Sequence, residues 1–505
     1  MSPVRRNLFF VLCLMVFGML LLVIVSIATI QSGKLATRAA SQRAGEITVK
    51  EWRGGITDRN GIPLVDARSH PHVIDEDDSI IPQTGAVNHR QIPFLLPMRY
   101  DEQSVASHVV GYVNGENEGI SGIEQTYDHV LATDTSYVIS GIADARRERI
   151  AAFGASAQNA SFTPQRSVRL TLDYHIQKAA EDALYRTGHT GAVVVLDTQT
   201  FDVRAMVSAP DFDRNHLTQY LDSDGGELLN RALCAYDAGS VFKIITSAAA
   251  LGTFVCRPDD LFWCNGFRQI HGLRFGCLKE EGHGELSMRQ AFALSCNCVF
   301  YELGSAVSGE RIRETARAFG LGEPLLAPGT LPEHKGNIPF SEQYLDTQVA
   351  NLSIGQGGVM MTPLQAANVA CIIANNGYRK SINLVDGVVD AEGNFIQNPR
   401  RYSLRKVTDE IVSRQIGEMM LEVTRTGTGQ GVRLEGAEAA GKTSSAETGW
   451  AVGDETMVHG WFVGYFPYHA PRYAMAVFVE NGRQGARACV PVFDEIAEKI
   501  LQNHW

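Results

Sequence analysis

The sequence predicts an α/β (α+β) protein in three parts: a membrane helix, a β-rich middle region, and a larger domain with a mostly antiparallel sheet flanked by helices. Three observations support this prediction. Residues 8–30 carry no charge, residues 34–160 combine short apolar runs with frequent turns, and apolar strands alternate with apolar helices over 161–505. A chain of 505 residues has room for roughly three domains. Its net charge of −11 gives no electrostatic reason to expect nucleic acid as a partner.

The first part, residues 1–33, is predicted to cross a membrane once. The uncharged run from Leu8 to Ile30 is 23 residues long, enough for a tilted helix to span a bilayer. Arg5 and Arg6 precede this run, which favours a cytoplasmic N-terminus. A cleaved signal peptide is the alternative, although the run is long for one. If the helix is an anchor, the rest of the chain lies outside the cytoplasm, and residues 34–160 form an extracytoplasmic spacer or interaction domain.

Local patterns predict the elements of the other two parts. Residues 34 to about 50 are predicted to form a polar helical stalk. Asn60-Gly61 is a strong hairpin signal between two short strands. The β-branched run Ala192–Asp197 predicts a fully buried strand, and Ser287 with Gln290 predicts a capping box that opens a helix. Further helices are predicted at 174–185, 299–307, 311–319, 363–375 and 492–501, and further strands at 201–208, 439–445, 460–465 and 473–480.

The most unusual stretch runs from Ala238 to Leu251 and carries a lysine in an apolar helix. After Lys243 the residues are apolar or small on every side, which predicts a buried helix. Lysine is rarely buried without a partner, and burial lowers the pKa of an amine toward the range in which it accepts protons. Ser240 lies one helical turn earlier on the same face. The pair is the minimum set for an activated serine nucleophile, although a lysine reaching out from a helix end would give the same pattern.

Two later segments contain further candidate active-site motifs that could act together with this pair. A predicted helix over 288–294 leads into Ser295-Cys296-Asn297, and Lys442-Thr443-Ser444 is predicted to lie on a strand. Each short motif recurs by chance, since Ser403 to Lys406 repeats the first and Ser381-Ile382-Asn383 repeats the second. Neither copy is accompanied by an apolar helix. Three motifs in this order and in these contexts are much harder to obtain by chance.

The residues from Gly436 to Thr443 also match the phosphate-binding string G-x-x-x-x-G-K-[ST], so a nucleotide-binding enzyme is an alternative. A phosphate-binding loop must open a helix whose N-terminus holds the phosphates. The residues after Thr443 are a poor helix start, and Glu438 would bring negative charge toward a nucleotide. The strand interpretation is therefore favoured.

The chain has nine cysteines, and Cys256, Cys264 and Cys277 cluster in a loop-like stretch. Outside the cytoplasm one pair there could form a disulfide, and we predict Cys264 with Cys277. A set of reduced thiols is the alternative. No C-x-x-C or H-E-x-x-H spacing occurs in the sequence, so no dedicated metal site is predicted.

In these three motifs, and over nearly everything after the membrane helix, the chain resembles the class B penicillin-binding proteins. The three motifs are those of β-lactamases and penicillin-binding proteins. Further segments that carry the resemblance are 53–61, His108, Gly122-Ile123-Glu124, Leu170–Asp173, Gly191–Asp197, Ser208-Ala209-Pro210, Asn215, Asn230-Arg231-Ala232, Gly355-Gln356-Gly357, Thr362-Pro363 and Trp461–Tyr465. The chain departs from the family pattern at Ala238, usually proline, and at Ser444, usually glycine. No segment has the length or position expected for the glycosyltransferase domain of class A members.

The resemblance implies the penicillin-binding transpeptidase fold in residues 161–505 and a penicillin-sensitive D,D-transpeptidase that cross-links peptidoglycan stem peptides. By resemblance, Ser240 attacks the substrate carbonyl, Lys243 is the general base, and Ser295 relays a proton to the departing D-Ala. Asn297 would bind the substrate amide and hold Lys243. The reaction needs no metal or organic cofactor.

The third motif is expected to bind the substrate carboxylate. Lys442 would supply positive potential that keeps Lys243 neutral, and Thr443 and Ser444 would hydrogen-bond the carboxylate. The backbone N–H groups of Ser240 and Ser445 would form the oxyanion hole. Because Ser444 is nearly as small as glycine, we expect it to affect antibiotic affinity rather than the class of reaction.

Three other interpretations stay open at this point. A D,D-carboxypeptidase or a β-lactamase of the same fold would let water resolve the acyl-enzyme, and a catalytically idle scaffold would use residues 34–160 to hold a cell-wall complex together. The resemblance also implies two kinds of partner. β-Lactam antibiotics would acylate Ser240, and a polytopic glycosyltransferase of the shape, elongation, division and sporulation (SEDS) family would contact the membrane helix and the spacer domain.

Overall fold

The computed structural model describes residues 3–29, 31–32, 44–66, 68–75, 79–87, 91–101, 104–142, 166–452 and 455–505. The chain forms two compact units. The small unit is drawn from residues 1–53, 68–98 and 133–163, and the large unit from residues 54–67, 99–132 and 164–505.

The described helices are α1 (Pro3–Thr29), α2 (Ser107–Val110), α3 (Gly122–Thr126), α4 (Asp128–Leu131), α5 (Tyr174–Tyr185), α6 (Lys243–Gly252), α7 (Met288–Ala293), α8 (Asn297–Val307), α9 (Gly309–Ala318), α10 (Asp346–Ser353), α11 (Pro363–Ala374), α12 (Glu410–Arg425), α13 (Gly485–Ala488) and α14 (Val490–Gln502). Short 3₁₀ turns lie at Leu217–Gln219, Arg231–Leu233 and Gly239–Phe242.

The described strands are β1 (Ala44–Arg53), β2 (Gly55–Thr57), β3 (Arg68–Ile74), β4 (Ile80–Pro82), β5 (Ile92–Met98), β6 (Ala132–Ile142), β7 (Arg166–Leu170), β8 (Gly191–Asp197), β9 (Val203–Ala209), β10 (Tyr236–Asp237), β11 (Leu261–Cys264), β12 (Phe267–Ile270), β13 (Leu273–Gly276), β14 (Gly284–Ser287), β15 (Met360–Met361), β16 (Tyr378–Lys380), β17 (Val385–Asp390), β18 (Phe395–Gln397), β19 (Leu404–Lys406), β20 (Ala440–Val452), β21 (Glu455–Phe466) and β22 (Tyr473–Val479).

The small unit contains the apolar helix α1 and two groups of strands. α1 is long and apolar enough to cross a bilayer, as predicted from its uncharged run. β3 pairs with β4 and β5, and β1 pairs with β6. The prediction of a helical stalk is wrong over 44–50, which belong to β1, because pairing with the distant strand β6 decides their conformation. Residues 34–43 of that prediction lie outside the described residues.

Part of the region predicted as a separate spacer belongs instead to the large unit. Residues 54–67 and 99–132 fall there, so the division differs from a boundary at 160/161. The physical reason is that β2 pairs in parallel with β7 and completes the four-stranded sheet β18-β17-β7-β2. The Asn60-Gly61 turn follows β2 as predicted, and the Asp58 carboxylate accepts hydrogen bonds from the backbone N–H groups of Asn60 and Ile62, both at 2.8 Å.

The centre of the large unit is an antiparallel sheet in the order β20-β21-β22-β8-β9. Side chains alternate between its two faces. Val193 and Val195 pack in the cluster that contains Ile176 of α5 and Ile496 of α14, whereas Val194 and Leu196 face the main core with α6 and α11. The predicted α/β architecture, with helices on both faces of a mostly antiparallel sheet, is confirmed.

Two of these elements are bounded as the sequence predicts. α5 covers 174–185, and the Asp173 carboxylate caps it by accepting from the backbone N–H groups of His175 and Ile176. The capping box of Ser287 and Gln290 opens α7. The second motif lies between the end of α7 and the start of α8. The first spans the 3₁₀ turn Gly239–Phe242 and the start of α6, and the third lies on β20.

Candidate active site

Ser240 lies on the 3₁₀ turn Gly239–Phe242 and lines a cleft of about 760 Å³. Two contacts from distant segments fix this turn. The Gly239 N–H donates to the Gly355 carbonyl at 3.0 Å, and the Trp461 indole N–H donates to the Asp237 carbonyl at 3.0 Å. Gly355 has φ +77°, and a Cβ there would come within 2.1 Å of the Gly239 carbonyl oxygen. Only glycine therefore fits at this position.

Lys243 is the first residue of α6 and has no solvent-exposed surface. Its Nζ donates to the Ser295 carbonyl at 2.8 Å, the Ser295 Oγ at 3.1 Å and the Asn297 Oδ1 at 2.7 Å. The amine also lies 5.2 Å from the centroid of the Phe300 ring. Within the described part of the chain, no carboxylate forms an ion pair with this amine. The neutral hydrogen-bond acceptors around Lys243 therefore offset only part of the free-energy cost of burying a charged amine.

Lys442 lies on β20 and is equally buried. Its Nζ donates to the Ser295 Oγ at 3.0 Å and to the Thr443 carbonyl at 2.9 Å. The Ser295 hydroxyl thus accepts hydrogen bonds from two lysines. Ser295 has φ +56°, a left-handed conformation that few residues other than glycine adopt, at the turn between α7 and α8. The turn directs the Ser295 side chain between the two amines.

Burial is the main cause of the lowered pKa of both lysines. It lowers the pKa of Lys243 to about 7. Burial also lowers the pKa of Lys442 well below its usual range, and a charge on Lys243 lowers it further. Because the two amines share the Ser295 hydroxyl, a proton on one disfavours a proton on the other. A large fraction of Lys243 is therefore unprotonated near neutral pH.

Ser240 and Lys243 are brought to the same end of α6, as their spacing predicts. Among the described residues no hydrogen bond joins the Ser240 Oγ to the Lys243 Nζ. Catalytic hydrogen bonds are often long before substrate binds, so this geometry is compatible with the predicted pair. Lys243 is held in place by Ser295 and Asn297.

The third motif contributes one edge of the cleft. Thr443 is buried, and its hydroxyl is hydrogen-bonded to the hydroxyl of Thr428. Ser445 is exposed, and its Oγ accepts from the Gly485 N–H at 3.1 Å. Ser444 was expected to face the substrate, but its hydroxyl donates to the Ala238 carbonyl at 3.2 Å. Ser444 therefore links the third motif to the first.

The structure brings the predicted site residues together and separates them from the chance copies. One cleft is lined by Ser240, Ser295, Asn297 and the segment 443–445. Lys243 and Lys442 donate hydrogen bonds to the Ser295 hydroxyl. The copied motifs lie elsewhere, next to the paired strands β16 and β19, where the Ser381 and Ser403 hydroxyls bond to each other at 2.7 Å. Thr428, Asn351 and Glu447 also line the cleft, and no short motif in the sequence indicates them, whereas Gln356 lies in the Gly355-Gln356-Gly357 segment that carries the resemblance.

The alternative of a phosphate-binding loop and the prediction of a Cys264–Cys277 disulfide are both wrong. Residues 440–452 form a strand, so the string that ends at Thr443 does not open a helix and lacks the N–H groups that hold phosphates. Cys264 and Cys277 are free thiols, so the predicted disulfide is not formed. Their sulfurs lie instead in a cluster with two further side chains.

This fold and this site define an active-site-serine enzyme of the β-lactamase and penicillin-binding type. Residues 191–502 match the family model for the penicillin-binding protein transpeptidase domain. The chain therefore belongs to the penicillin-binding protein transpeptidase family, and within it to the class B penicillin-binding proteins.

Similar proteins include cell-wall enzymes from several bacteria. The chain is 30% identical over 369 residues to the peptidoglycan D,D-transpeptidase PbpA of Mycobacterium tuberculosis, covering 66% of this chain and 72% of that protein. It is 27% identical over 445 residues to the peptidoglycan D,D-transpeptidase MrdA of Acinetobacter baumannii, covering 78% of this chain and 65% of that protein. The imipenem acyl-enzyme structure of penicillin-binding protein A from M. tuberculosis has a TM-score of 0.70 and 25% identity, covering 90% of this chain and 99% of that chain.

Proposed function

We propose that this protein is a penicillin-sensitive serine D,D-transpeptidase that cross-links peptidoglycan stem peptides through an acyl-enzyme on Ser240. The Lys243 amine carries the proposal. It is fully buried, it hydrogen-bonds only to neutral oxygens in the described part of the chain, and it lies one turn from Ser240. Burial in such a setting makes an amine a proton acceptor near neutral pH.

In the proposed reaction, the Ser240 Oγ attacks the carbonyl carbon of the penultimate D-Ala while Lys243 takes the hydroxyl proton. The peptide C–N bond then breaks. The departing D-Ala amine receives a proton relayed through Ser295, whose hydroxyl lies within hydrogen-bond distance of Lys243 and Lys442. An acceptor amine from a second stem peptide attacks the ester, loses a proton to the same relay, and releases Ser240.

The remaining roles concern substrate binding. Lys442 and Thr443 would receive the substrate carboxylate, and the half-buried Asn297 would bind the substrate amide. The backbone N–H groups of Ser240 and Ser445 would stabilise the tetrahedral oxyanion. Thr428 would orient the Thr443 hydroxyl, to which its own hydroxyl is bonded. Ser444 would support the Ser240 turn through Ala238.

We further propose that α1 anchors the protein once in the membrane, with a cytoplasmic N-terminus and an extracytoplasmic catalytic domain. The uncharged length of α1 and the arginines at positions 5 and 6 support this topology. In this proposal the enzyme is monofunctional and works with a SEDS-family glycosyltransferase, which supplies the strands to be cross-linked.

The test supplies the purified full chain with nascent peptidoglycan strands and measures cross-linked muropeptides after muramidase digestion. We expect cross-linked dimers with the wild type and none with Ser240→Ala. Release of D-Ala without cross-links would indicate a D,D-carboxypeptidase, and rapid hydrolysis of a β-lactam would indicate a β-lactamase. Failure of fluorescent penicillin to label the folded wild type would favour the scaffold.

A further inference from the structure

Four potential metal ligands converge beside the second catalytic motif. The sulfurs of Cys264, Cys277 and Cys296 and a ring nitrogen of His283 all lie within 4.8 Å of one another. The three cysteines are buried and the histidine is half-buried. We propose that these four side chains bind a structural Zn²⁺ ion that holds the Ser295-Cys296-Asn297 turn in its catalytic position.

Two distances within the cluster match the edges of a tetrahedral zinc site, and all six lie within 4.8 Å. Zinc–sulfur bonds of about 2.3 Å and zinc–nitrogen bonds of about 2.0–2.1 Å give ligand-to-ligand edges of about 3.8 Å between two sulfurs and about 3.6 Å between sulfur and nitrogen. The structure has 3.8 Å between the Cys277 and Cys296 sulfurs and 3.7 Å between the Cys277 sulfur and His283 Nδ1. A disulfide would require about 2.05 Å between sulfurs and would use only two of these ligands.

The backbone of the insertion between α6 and α7 is built to bring these ligands together. Cys264 pairs with Gly284 in the β11–β14 ladder, next to His283. The Cys277 N–H donates to the Gly266 carbonyl at 2.7 Å. Gly282 has φ +84°, and a Cβ there would come within 2.3 Å of the Cys264 carbonyl oxygen. The loop from Cys277 to His283 can therefore close over Cys264 only because that position is glycine.

The donor set favours zinc over harder cations. Thiolate and imidazole ligands select zinc, whereas magnesium and calcium prefer oxygen ligands. Binding releases the three thiol protons and leaves three thiolates and one neutral imidazole around Zn²⁺, with one net negative charge. Four protein ligands fill the tetrahedron, so the site has no open position for a catalytic water. The metal is therefore structural.

Cys296 connects this cluster to the site of reaction. It lies between Ser295, which accepts from both lysines, and Asn297, which accepts from Lys243. Ser295 holds a left-handed φ of +56°, a conformation that persists only when its surroundings enforce it. A zinc–sulfur bond to Cys296 would supply that constraint. This consequence for catalysis rests on the proposed function, whereas the binding of zinc does not.

The sequence predicted no metal site because local spacing patterns are absent. The ligands are spread over residues 264–296 and meet only through strand pairing and two glycine turns. Spacing rules detect ligands that are neighbours along one turn or knuckle. The predicted Cys264–Cys277 disulfide used two of the four ligands.

The test measures metal content by inductively coupled plasma mass spectrometry on the purified full chain in detergent. We expect one zinc per chain in the wild type and loss of zinc in Cys277→Ser and His283→Ala. The matched control is Cys371→Ser, at a buried cysteine outside the cluster whose thiol bonds to the Asp197 carbonyl at 3.7 Å, a contact that a serine hydroxyl can keep. Cobalt substituted for zinc should give the absorption of a tetrahedral thiolate site.

A second measurement covers variants that fail to fold. Treating the wild type with a strong chelator should lower its melting temperature and slow its labelling by fluorescent penicillin. The rate should fall at least about 10-fold, the smallest loss of activity usual when the groups that support a metal site are removed. Added zinc should restore both. Absence of metal in the folded wild type, a disulfide between Cys264 and Cys277, or an iron–sulfur spectrum would overturn the proposal. A zinc-loaded chain that penicillin does not label would leave the metal site standing and contradict the proposed function instead.

Discussion

Asn297→Asp tests whether the uncharged form of Lys243 is the base, because it replaces a neutral acceptor with a charged one of the same shape. The Asn297 Oδ1 lies 2.7 Å from the Lys243 Nζ. At that distance a full negative charge attracts an ammonium group by about 6 kcal/mol for an effective dielectric constant of about 20. Asn297 is half-buried, so solvent screens part of this attraction. Neighbouring opposite charges typically shift a pKa by about 1–3 units.

A two-unit rise would move the pKa of Lys243 from about 7 to roughly 9. The unprotonated fraction at pH 7 would then fall from about one half to about one hundredth, so acylation would slow about 50-fold. The rate constant for labelling by a fluorescent penicillin, measured from pH 5.5 to 10.5, reads this shift directly. The labelling rate of the variant should recover as the pH rises. The inflection of its pH–rate profile should lie roughly two pH units above that of the wild type.

The position of the inflection distinguishes a changed pKa of Lys243 from loss of the substrate contact that Asn297 also makes in the proposed mechanism. Loss of that contact lowers the plateau and leaves the inflection where it was. Asn351→Asp is the control, because Asn351 lines the same cleft without a hydrogen bond to Lys243 among the described residues. It should keep the wild-type inflection. An unshifted inflection in Asn297→Asp would refute the assignment of Lys243 as the base.

Three further predictions follow from the same site. Because protonation removes the base, wild-type acylation should fall about 10-fold per pH unit below the Lys243 pKa of about 7 and reach a plateau above it; a rate independent of pH between 5.5 and 8 would contradict this. Lys442→Met should slow acylation about 100-fold. Its melting temperature should stay the same or rise, because an apolar side chain replaces a buried amine that has no ionic partner in the described residues. Normal acylation would argue against a role for Lys442. Gly355→Ala should destabilise the large unit by at least about 1–3 kcal/mol, measured by urea unfolding, and should slow labelling of Ser240, because a Cβ at this left-handed position would come within 2.1 Å of the Gly239 carbonyl oxygen. An unchanged midpoint would show that the backbone accommodates the added methyl group.

The parts of the fold that depend on local pattern could be predicted from the sequence. α5 has its predicted bounds because Asp173 caps it, and β8 is buried on both faces, as its β-branched run indicates. Ser240 and Lys243 could be paired because their spacing places them one helical turn apart, and the 3₁₀ turn that carries Ser240 runs directly into α6. Local propensity failed where distant pairing decides the outcome. Residues 44–50 pair with β6 and form a strand.

Other features of the site could not be predicted because they join residues far apart in the chain. The contact between Thr428 and Thr443 joins the two ends of the connection between α12 and β20 and has no sequence signal. The hydrogen bond from Ser444 to Ala238 joins residues 206 positions apart, and only the folded backbone brings them together. The cluster around Cys296 likewise depends on the β11–β14 ladder.

Peptide mapping of the full chain after reaction with benzylpenicillin most directly tests covalent attack by an alcohol that a buried amine activates. The account predicts one penicilloyl group, carried by the tryptic peptide that contains Ser240, with the mass increase absent from Ser240→Ala and strongly reduced in Lys243→Met at pH 7. A folded wild-type chain without the adduct, or an adduct on another residue, would contradict it.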